Sequence, residues 1–141
     1  VLEAMSAYCC SESVTDDQKE FVNKLCSSFG KVMPLSESYF PLFCSIAGCA
    51  PAYAYMFIDS LARSAVKNGM NKSVALEIAA QTVLGSAKKI LESDEHPWEL
   101  IDKVCSPGGT TIEGIVSLQK DGFESAVCNA VDAALQKDKK V

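Results

Sequence analysis

Apolar positions in the first part of the chain follow the pattern of a strand, a helix and a second strand. Small and apolar residues at 1–10 predict a strand. Thr15 and Gln18 have the spacing of a capping box, and apolar residues then recur at helical spacing up to Gly30, which we expect to end the helix in a left-handed conformation. Residues 31–35 predict a short strand in which Pro34 marks an edge or an end. Nothing after this piece completes a sheet.

Beyond residue 37 every periodic segment is helical. Pro51 and Pro97 suit the first position of a helix, and Gly69 and Gly122 suit positions that end one. The predicted helices cover residues 39–44, 51–68, 72–91, 97–105, 110–121 and 123 onward into a charged tail at 136–140. The chain is therefore predicted to be mainly α, with a strand–helix–strand unit at residues 1–37 and a helical domain at residues 38–141.

Two of the predicted helices are apolar on nearly every face. The first is apolar throughout 52–58, and the second carries eight apolar residues between positions 74 and 84. A helix that is apolar all round must be buried all round, and a domain of a few helices has little interior to offer. We therefore expect a second copy of the chain to cover these helices, which makes the protein at least a homodimer.

Composition and charge exclude several classes of partner. The 141 residues carry a formal net charge of −5 with a pI near 4.8, whereas nucleic-acid binding requires a surplus of Lys and Arg. The longest apolar stretch, at 47–58, is interrupted by Pro51 and is too short to cross a bilayer. No signal-peptide pattern opens the chain. We expect neither nucleic acid nor a membrane as a partner.

The cysteine pattern is typical of a reducing compartment. The seven cysteines are an odd number and include no Cys-x-x-Cys pair, which favours free thiols and a cytoplasmic location over a disulfide framework. The single histidine, His96, stands directly before Pro97, and we expect it to begin a helix rather than to act in catalysis. Because metal-ligand spacing and a histidine cluster are both lacking, we expect no metal site.

The segment 105–113 is the main candidate binding site. Gly108 and Gly109 allow positive φ and close approach of a ligand to the backbone. Thr110 and Glu113 have capping-box spacing, which predicts that a helix begins at Thr110. The N–H groups and the positive end of such a helix suit a carboxylate or a phosphate. An ordinary helix–loop–helix connection is the alternative interpretation of the same residues.

The run of small residues at 45–51 is the second candidate. Small side chains let a cofactor or another backbone approach closely, and the alternative is a tight helix kink inside a packed core. No two glycines of the chain are separated by a single residue, so the Gly-x-Gly-x-x-Gly fingerprint of dinucleotide-binding folds does not occur in this sequence.

Several motifs together resemble one family, the pyrroline-5-carboxylate reductases. The resemblance covers essentially the whole chain, and its most specific part is the Ser-Pro-Gly-Gly motif with its flanks. The residues that carry it are Pro97, Leu100, the run at 104–111, Gly114, Ile115, Leu118 and Gln119, together with the segments 51–53, 68–70, 79–85, 121–123 and 129–131.

The resemblance implies a helical dimerisation domain of the 6-phosphogluconate-dehydrogenase C-terminal-like type, preceded by a strand–helix–strand remnant of a Rossmann-type sheet. It implies an oxidoreductase that reduces 1-pyrroline-5-carboxylate to L-proline with NADPH or NADH, the last step of proline biosynthesis. In the family a separate Rossmann-type domain binds the NADP or NAD, which accounts for the unfinished sheet and the missing glycine fingerprint. This chain alone is therefore expected to bind no cofactor and to have no reductase activity.

The resemblance also assigns the substrate site. It places the substrate carboxylate on the loop that contains Ser106, Gly108 and Gly109. The amides of Thr110 and Thr111 are the implied contacts, and they coincide with the helix start at which the residues themselves predict an anion site.

Two parts of the sequence depart from the family pattern. Cys44 stands where the family often has a threonine close to the substrate imine, and it is the candidate for orienting or protonating the imine nitrogen, although a thiol is a weaker donor than a hydroxyl. Gly48 and Cys49 are the candidate cofactor contacts, in a segment where the family usually has Ser-Gly-Ser-Gly. The lost hydroxyls motivate an alternative function, a non-catalytic helical oligomerisation module that binds proline or a similar small carboxylate. A phosphate- or nucleotide-responsive regulator using the same loop is a third hypothesis.

Overall fold

The computed structural model describes residues 1–138, most of which are helical. Two short strands flank a helix at the start of the chain, and the regular elements that follow, up to residue 138, are all helical. The elements in chain order are β1 (Ala4–Tyr8), α1 (Asp16–Ser27), β2 (Gly30–Pro34), α2 (Phe40–Phe43), α3 (Ala50–Lys67), α4 (Lys72–Leu91), α5 (Pro97–Val104), α6 (Thr110–Lys120) and α7 (Phe123–Asp138). The prediction of a mainly α fold after a strand–helix–strand piece is confirmed.

The first three elements form a parallel βαβ unit. The strands pair in parallel with Ala4 opposite Gly30 and Tyr8 opposite Pro34, which is the last residue of β2. The predicted capping box at the start of α1 is present: the Thr15 side chain accepts a hydrogen bond from the Gln18 amide at 3.4 Å, and the Gln18 side chain accepts one from the Thr15 amide at 3.0 Å. Parallel strands require such a crossover, because a tight turn cannot join them.

The prediction that Gly30 ends α1 in a left-handed conformation is wrong. The helix ends at Ser27, and the Ser28 hydroxyl closes its last turn by donating to the Leu25 carbonyl at 2.6 Å. Gly30 instead opens β2, where an added Cβ would lie 2.1 Å from the carbonyl oxygen of Ala4. Position 30 needs a glycine because the backbone of β1 lies too close to it to admit a side chain. A positive φ angle is not the reason.

The chain stays helical from Glu37 to Lys67. A 3₁₀ turn, α2, a π turn at Cys44–Gly48 and α3 form one helical segment of 31 residues, in which Pro51 is the second residue of α3. Pro51 does not end the segment, because it lies in the first turn of α3, directly after the π turn, where a missing N–H is tolerated. By length and composition alone the segment could cross a membrane, although core helices of soluble proteins pass the same test. The predicted absence of a membrane partner stays a prediction.

Small residues form the contact between α3 and α4. Ala62, Ala75 and Ala79 are buried, and Ile58 and Ala65 pack against them. Alanines on both helices allow the two backbones to approach closely, so the core between these helices is thin. The large apolar side chains of the two helices consequently have little interior space within this contact.

One carboxylate joins the middle of α3 to the start of α4. Asp59 forms ion pairs with Lys72, the first residue of α4, and with Arg63, one turn further along α3. The hydrogen bond from Lys72, followed by the one from Arg63, lowers the pKa of Asp59 below its ordinary value. The two helices are therefore linked by charge as well as by their alanine contact.

The chain divides into two compact units. One comprises Val1–Pro51 with the residues from 131 onward, and the other comprises Ala52–Ala130. Within the second unit the rings of Phe57 and Phe123 pack with their centroids 5.9 Å apart. The start of α7 therefore packs on α3.

Candidate functional site

The loop between α5 and α6 closes as a tight turn. The Gly109 amide donates a hydrogen bond to the Ser106 carbonyl at 3.0 Å, which spans the four residues of a β-turn. Pro107 restricts φ at the second position, and Gly108 has a φ of 67° at the third. This combination defines a type II turn, in which the third position requires glycine or asparagine. The predicted positive φ therefore holds for Gly108 alone of the two glycines.

Gly109 is needed for a different reason. It has an extended backbone, with φ −80° and ψ 169°, and it is half-buried. An added Cβ would lie 2.3 Å from the Ser106 Oγ and 3.1 Å from the Ser106 carbonyl oxygen. The turn thus folds the Ser106 side chain back over Gly109, so only a residue without a side chain fits there without displacing the hydroxyl.

The first turn of α6 has no side-chain cap. The helix begins at Thr110 as predicted, but the predicted capping box of Thr110 and Glu113 is wrong. Its N-cap residue is Gly109, and a capping box would need both the threonine and the glutamate one position earlier. The N–H groups of Thr110 and Thr111 therefore keep their hydrogen-bonding capacity for a ligand, at the positive end of the helix dipole. Both threonines are exposed.

The helix that leads into the loop is held at its start by local polar contacts. The His96 Nδ1 accepts a hydrogen bond from the Trp98 amide at 3.2 Å, and the Glu99 side chain accepts one from the His96 amide at 3.1 Å. The prediction that His96 begins a helix is confirmed. Lys103, in the last turn of α5, pairs with Glu95 and lowers the pKa of that carboxyl. The Lys103 ammonium is thus paired with the Glu95 carboxylate.

The second group of candidate residues lies in the π turn between α2 and α3. The Cys49 amide donates to the Cys44 carbonyl at 3.2 Å, and the buried Ser45 hydroxyl donates to the Pro41 carbonyl at 3.0 Å. Cys44, Gly48 and Cys49 are exposed, and a Cβ at Gly48 would meet no atom within 4 Å. Packing in the described structure therefore does not require the small size of Gly48. π turns occur frequently at functional sites.

A crevice that the sequence did not predict lies at the carboxyl ends of the two strands. It has a volume of about 430 Å³, and Lys19 is the one charged residue that lines it. A hydrogen bond from the Lys19 ammonium to Asp16, at 3.0 Å, raises the pKa of Lys19. Parallel α/β sheets bind ligands outside the carboxyl ends of their strands. That rule, applied to the predicted strand–helix–strand piece, could have located the crevice. The other lining residues are Tyr8, Cys9, Cys10, Pro34, Leu35 and Ser36.

The candidate residues thus fall into two groups that belong to different units. The turn brings Ser106, Gly108, Gly109, Thr110 and Thr111 together in the unit Ala52–Ala130. The π-turn residues and the strand-end crevice belong to the other unit. Among residues 1–138 no group of three or more His, Cys, Asp or Glu side chains is placed to hold a metal ion.

Fold and candidate sites together define a helical domain that follows part of a parallel α/β sheet. The domain is rich in apolar helix surface, and it has an uncapped helix start that suits an anion. A family model described as pyrroline-5-carboxylate reductase dimerisation matches residues 37–141. The chain belongs to this family, and the resemblance inferred from its motifs is confirmed.

Individual relatives agree with the family. The chain is 41% identical to the pyrroline-5-carboxylate reductase of Escherichia coli strain K12, over 91% of the chain and 48% of the relative. Its structure is similar to that of 1-pyrroline-5-carboxylate reductase from Streptococcus pyogenes, with a TM-score of 0.91 and 41% identity, covering 99% of this chain and 54% of that one. A pyrroline carboxylate reductase from Plasmodium falciparum, with NADP bound, gives a TM-score of 0.87 and 38% identity, covering 96% and 52%. The chain therefore spans about half the length of these relatives.

Proposed function

We propose that this chain is the dimerisation and substrate-binding part of a pyrroline-5-carboxylate reductase, which reduces 1-pyrroline-5-carboxylate to L-proline. The observation that carries the proposal is the type II turn followed by the uncapped start of α6, in a chain that belongs to the family. We place the domain boundary between residues 37 and 38, close to where the family match begins, and we place the enzyme in the cytoplasm.

The turn can hold the carboxylate of the substrate. The N–H groups of Thr110 and Thr111 point along the helix axis at its positive end, where a carboxylate is stabilised by hydrogen bonds and by the helix dipole. Gly109 keeps the approach to these amides open because it has no side chain. The Ser106 hydroxyl, folded over Gly109, adds a donor of its own. A carboxylate held in this way fixes the position of the ring that carries the imine.

The chain's own residues supply only part of a cofactor site. NADP or NAD supplies the hydride when it is bound to the whole enzyme. A dinucleotide site needs a glycine-rich turn for the pyrophosphate, and this sequence has no pair of glycines with the required spacing. We assign Gly48 and Cys49 as contacts to the cofactor, since both are exposed and an added Cβ at Gly48 would meet nothing within 4 Å. We expect the chain alone to show no NADPH-dependent formation of proline.

Cys44 is the proposed donor to the imine nitrogen. It is exposed in the π turn, and its thiol is the group that corresponds to the hydroxyl implied by the family resemblance. A thiol donates a weaker hydrogen bond than a hydroxyl, so we expect Cys44 to orient the imine less effectively than a threonine would.

The functional protein is proposed to be a homodimer. In the unit Ala52–Ala130, large apolar side chains of α3 and α4 stay exposed, with Tyr55 at 70%, Met56 at 69% and Leu84 at 57%. Alanines fill the contact between these helices, so it leaves their large side chains outside. A second copy of the chain would bury them, which agrees with the description of the matching family as a dimerisation domain.

Titration calorimetry of the chain with L-proline tests substrate binding. We expect one proline to bind per chain, and inorganic phosphate to bind far more weakly. Tight binding of phosphate without binding of proline would instead support the regulator hypothesis.

A chimaera tests the reductase activity. The chain is joined to the part of the Plasmodium falciparum relative that it does not cover, and oxidation of NADPH by 1-pyrroline-5-carboxylate is measured. We expect turnover, and a rise in kcat for Cys44→Thr. A folded chimaera that binds proline but is inactive in both forms would contradict the proposal and favour the non-catalytic module.

A further inference from the structure

The π turn places Cys44 and Cys49 on the same face of the helical segment. In an α-helix, residues five positions apart point in different directions, because each residue turns the chain by about 100°. Here the Cys49 amide donates a hydrogen bond to the Cys44 carbonyl at 3.2 Å. In an α-helix the same hydrogen bond joins residues four positions apart, so the π turn gives Cys44 and Cys49 the relation that residues four apart have in an α-helix. Their side chains therefore stand one above the other, one turn apart.

The spacing of these thiols suits a bridging ion better than a disulfide. Side chains one turn apart have Cβ atoms about 5–6 Å from each other, whereas a disulfide needs about 3.5–4.5 Å. A metal ion bonded to two thiolates at about 2.3 Å, the zinc–sulfur distance, holds the two sulfur atoms at most about 4.6 Å apart. Rotation about the Cα–Cβ bonds can bring both sulfur atoms to that separation without movement of the backbone.

The chemistry of the two groups selects the kind of ion. Cys44 and Cys49 are free and exposed thiols, so an ion can reach both. Thiolates prefer soft cations such as Cu(I) and Zn²⁺. A structural zinc site requires four ligands, and within the described part of the chain no cluster of three or more ligating side chains is present. Two thiolates alone satisfy Cu(I), which accepts linear two-coordination.

We propose that Cys44 and Cys49 form a two-thiolate site that binds one Cu(I) ion. Binding forms two copper–sulfur bonds and releases the two thiol protons to solvent, so a neutral dithiol and Cu(I) give an anionic bis-thiolate complex with no change of oxidation state. Since Cys44 is also the proposed donor to the imine, an ion held here removes that thiol proton and would inhibit the reductase.

Protection from alkylation tests the site on the unchanged chain. The chain is kept anaerobic with one equivalent of Cu(I), treated briefly with iodoacetamide, and the rate at each cysteine is read by peptide mass spectrometry. We expect Cys44 and Cys49 to be protected together by at least about tenfold, while alkylation of Cys128 keeps its rate. Protection of Cys9 and Cys10 in their place, or of only one of the proposed pair, would overturn the proposal.

Competition with a chromogenic Cu(I) chelator provides the second measurement. Cys44→Ser and Cys49→Ser are each expected to weaken the tightest Cu(I) site by at least about a hundredfold, since one thiolate replaces two. Cys26→Ser and Cys128→Ser are the matched controls and are expected to keep that site. Equal weakening in all four variants, or rapid formation of a Cys44–Cys49 disulfide on mild oxidation, would contradict the geometry. Neither the alkylation measurement nor the chelator competition depends on whether the chain binds proline.

Discussion

Gly109 connects the geometry of a single residue to the proposed binding of substrate. Its neighbour Gly108 is required by a positive φ, but Gly109 has an ordinary extended backbone and is required by the space that Ser106 occupies. Replacing the two glycines should therefore have different consequences. At Gly108 most side chains strain the turn, whereas at Gly109 a methyl group acts on the Ser106 hydroxyl and on access to the amides.

We expect Gly109→Ala to weaken proline binding at least tenfold, or about 1.4 kcal/mol. The added Cβ, 2.3 Å from the Ser106 Oγ, would displace that hydroxyl from its position over Gly109, where we propose that it donates to the carboxylate. Calorimetry with L-proline measures the change. Gly114→Ala, in α6, is the matched control because its added Cβ meets no atom within 4 Å. Equal affinity of Gly109→Ala and the unchanged chain would argue against the turn as the carboxylate site.

At the scale of the elements, the contact between β1 and β2 depends on Gly30. We expect Gly30→Ala to disrupt this strand pair, because the added Cβ would lie 2.1 Å from a backbone carbonyl oxygen, which cannot rotate away as a side chain can. A two-stranded sheet has little stability of its own to absorb this strain. Amide hydrogen exchange should accelerate at least about tenfold in β1 and stay unchanged in α4. Unchanged protection of β1 would show that the strand pair accommodates the added methyl group.

The ion pairs between α3 and α4 predict a dependence of stability on pH. The pKa of Asp59 is lowered in the folded chain, so its contribution to stability is present above the ordinary aspartate pKa of about 3.9 and is lost as the pH falls through the lower folded value. We expect Asp59→Asn to lower Tm at pH 7, and the difference from the unchanged chain to shrink towards pH 2.5. Asp132→Asn, on α7, is the control. A constant difference in Tm at all pH values would exclude the ion pairs as its cause.

At the scale of the whole molecule, exposed apolar helix surface predicts association. We expect the chain to sediment at micromolar concentration as a dimer of about 30 kDa, twice the 15.1 kDa of one chain. Met56→Glu should shift it to the monomer, since a carboxylate would be buried without a partner at the interface. Gln119→Glu introduces the same charge on α6 and is expected to leave the dimer intact. A 15 kDa species for the unchanged chain would refute the dimer.

Local signals predicted the helices well and some of the contacts poorly. The capping box at Thr15, the stop at Gly69 and the start of α5 at His96 depend on residues a few positions apart, so their geometry follows from sequence spacing. The role of Gly30 was predicted from conformational freedom, and that of Gly109 from conformational freedom and from close approach of a ligand. Gly30 in fact depends on the Ala4 carbonyl, which is distant in sequence, and Gly109 depends on the rotamer of the nearby Ser106 side chain, which residue spacing does not specify.

The amino-acid sequence by itself determined the order of the elements, the family and the turn that carries the candidate carboxylate site, because these depend on hydrophobic period, proline and glycine positions, and a contiguous motif. Only the structure decided that Pro51 lies within one helical segment, that a π turn joins the Cys49 amide to the Cys44 carbonyl, and that the two strand ends form a crevice. Each of these features arises from backbone hydrogen bonding and strand pairing, which single residue types specify only weakly.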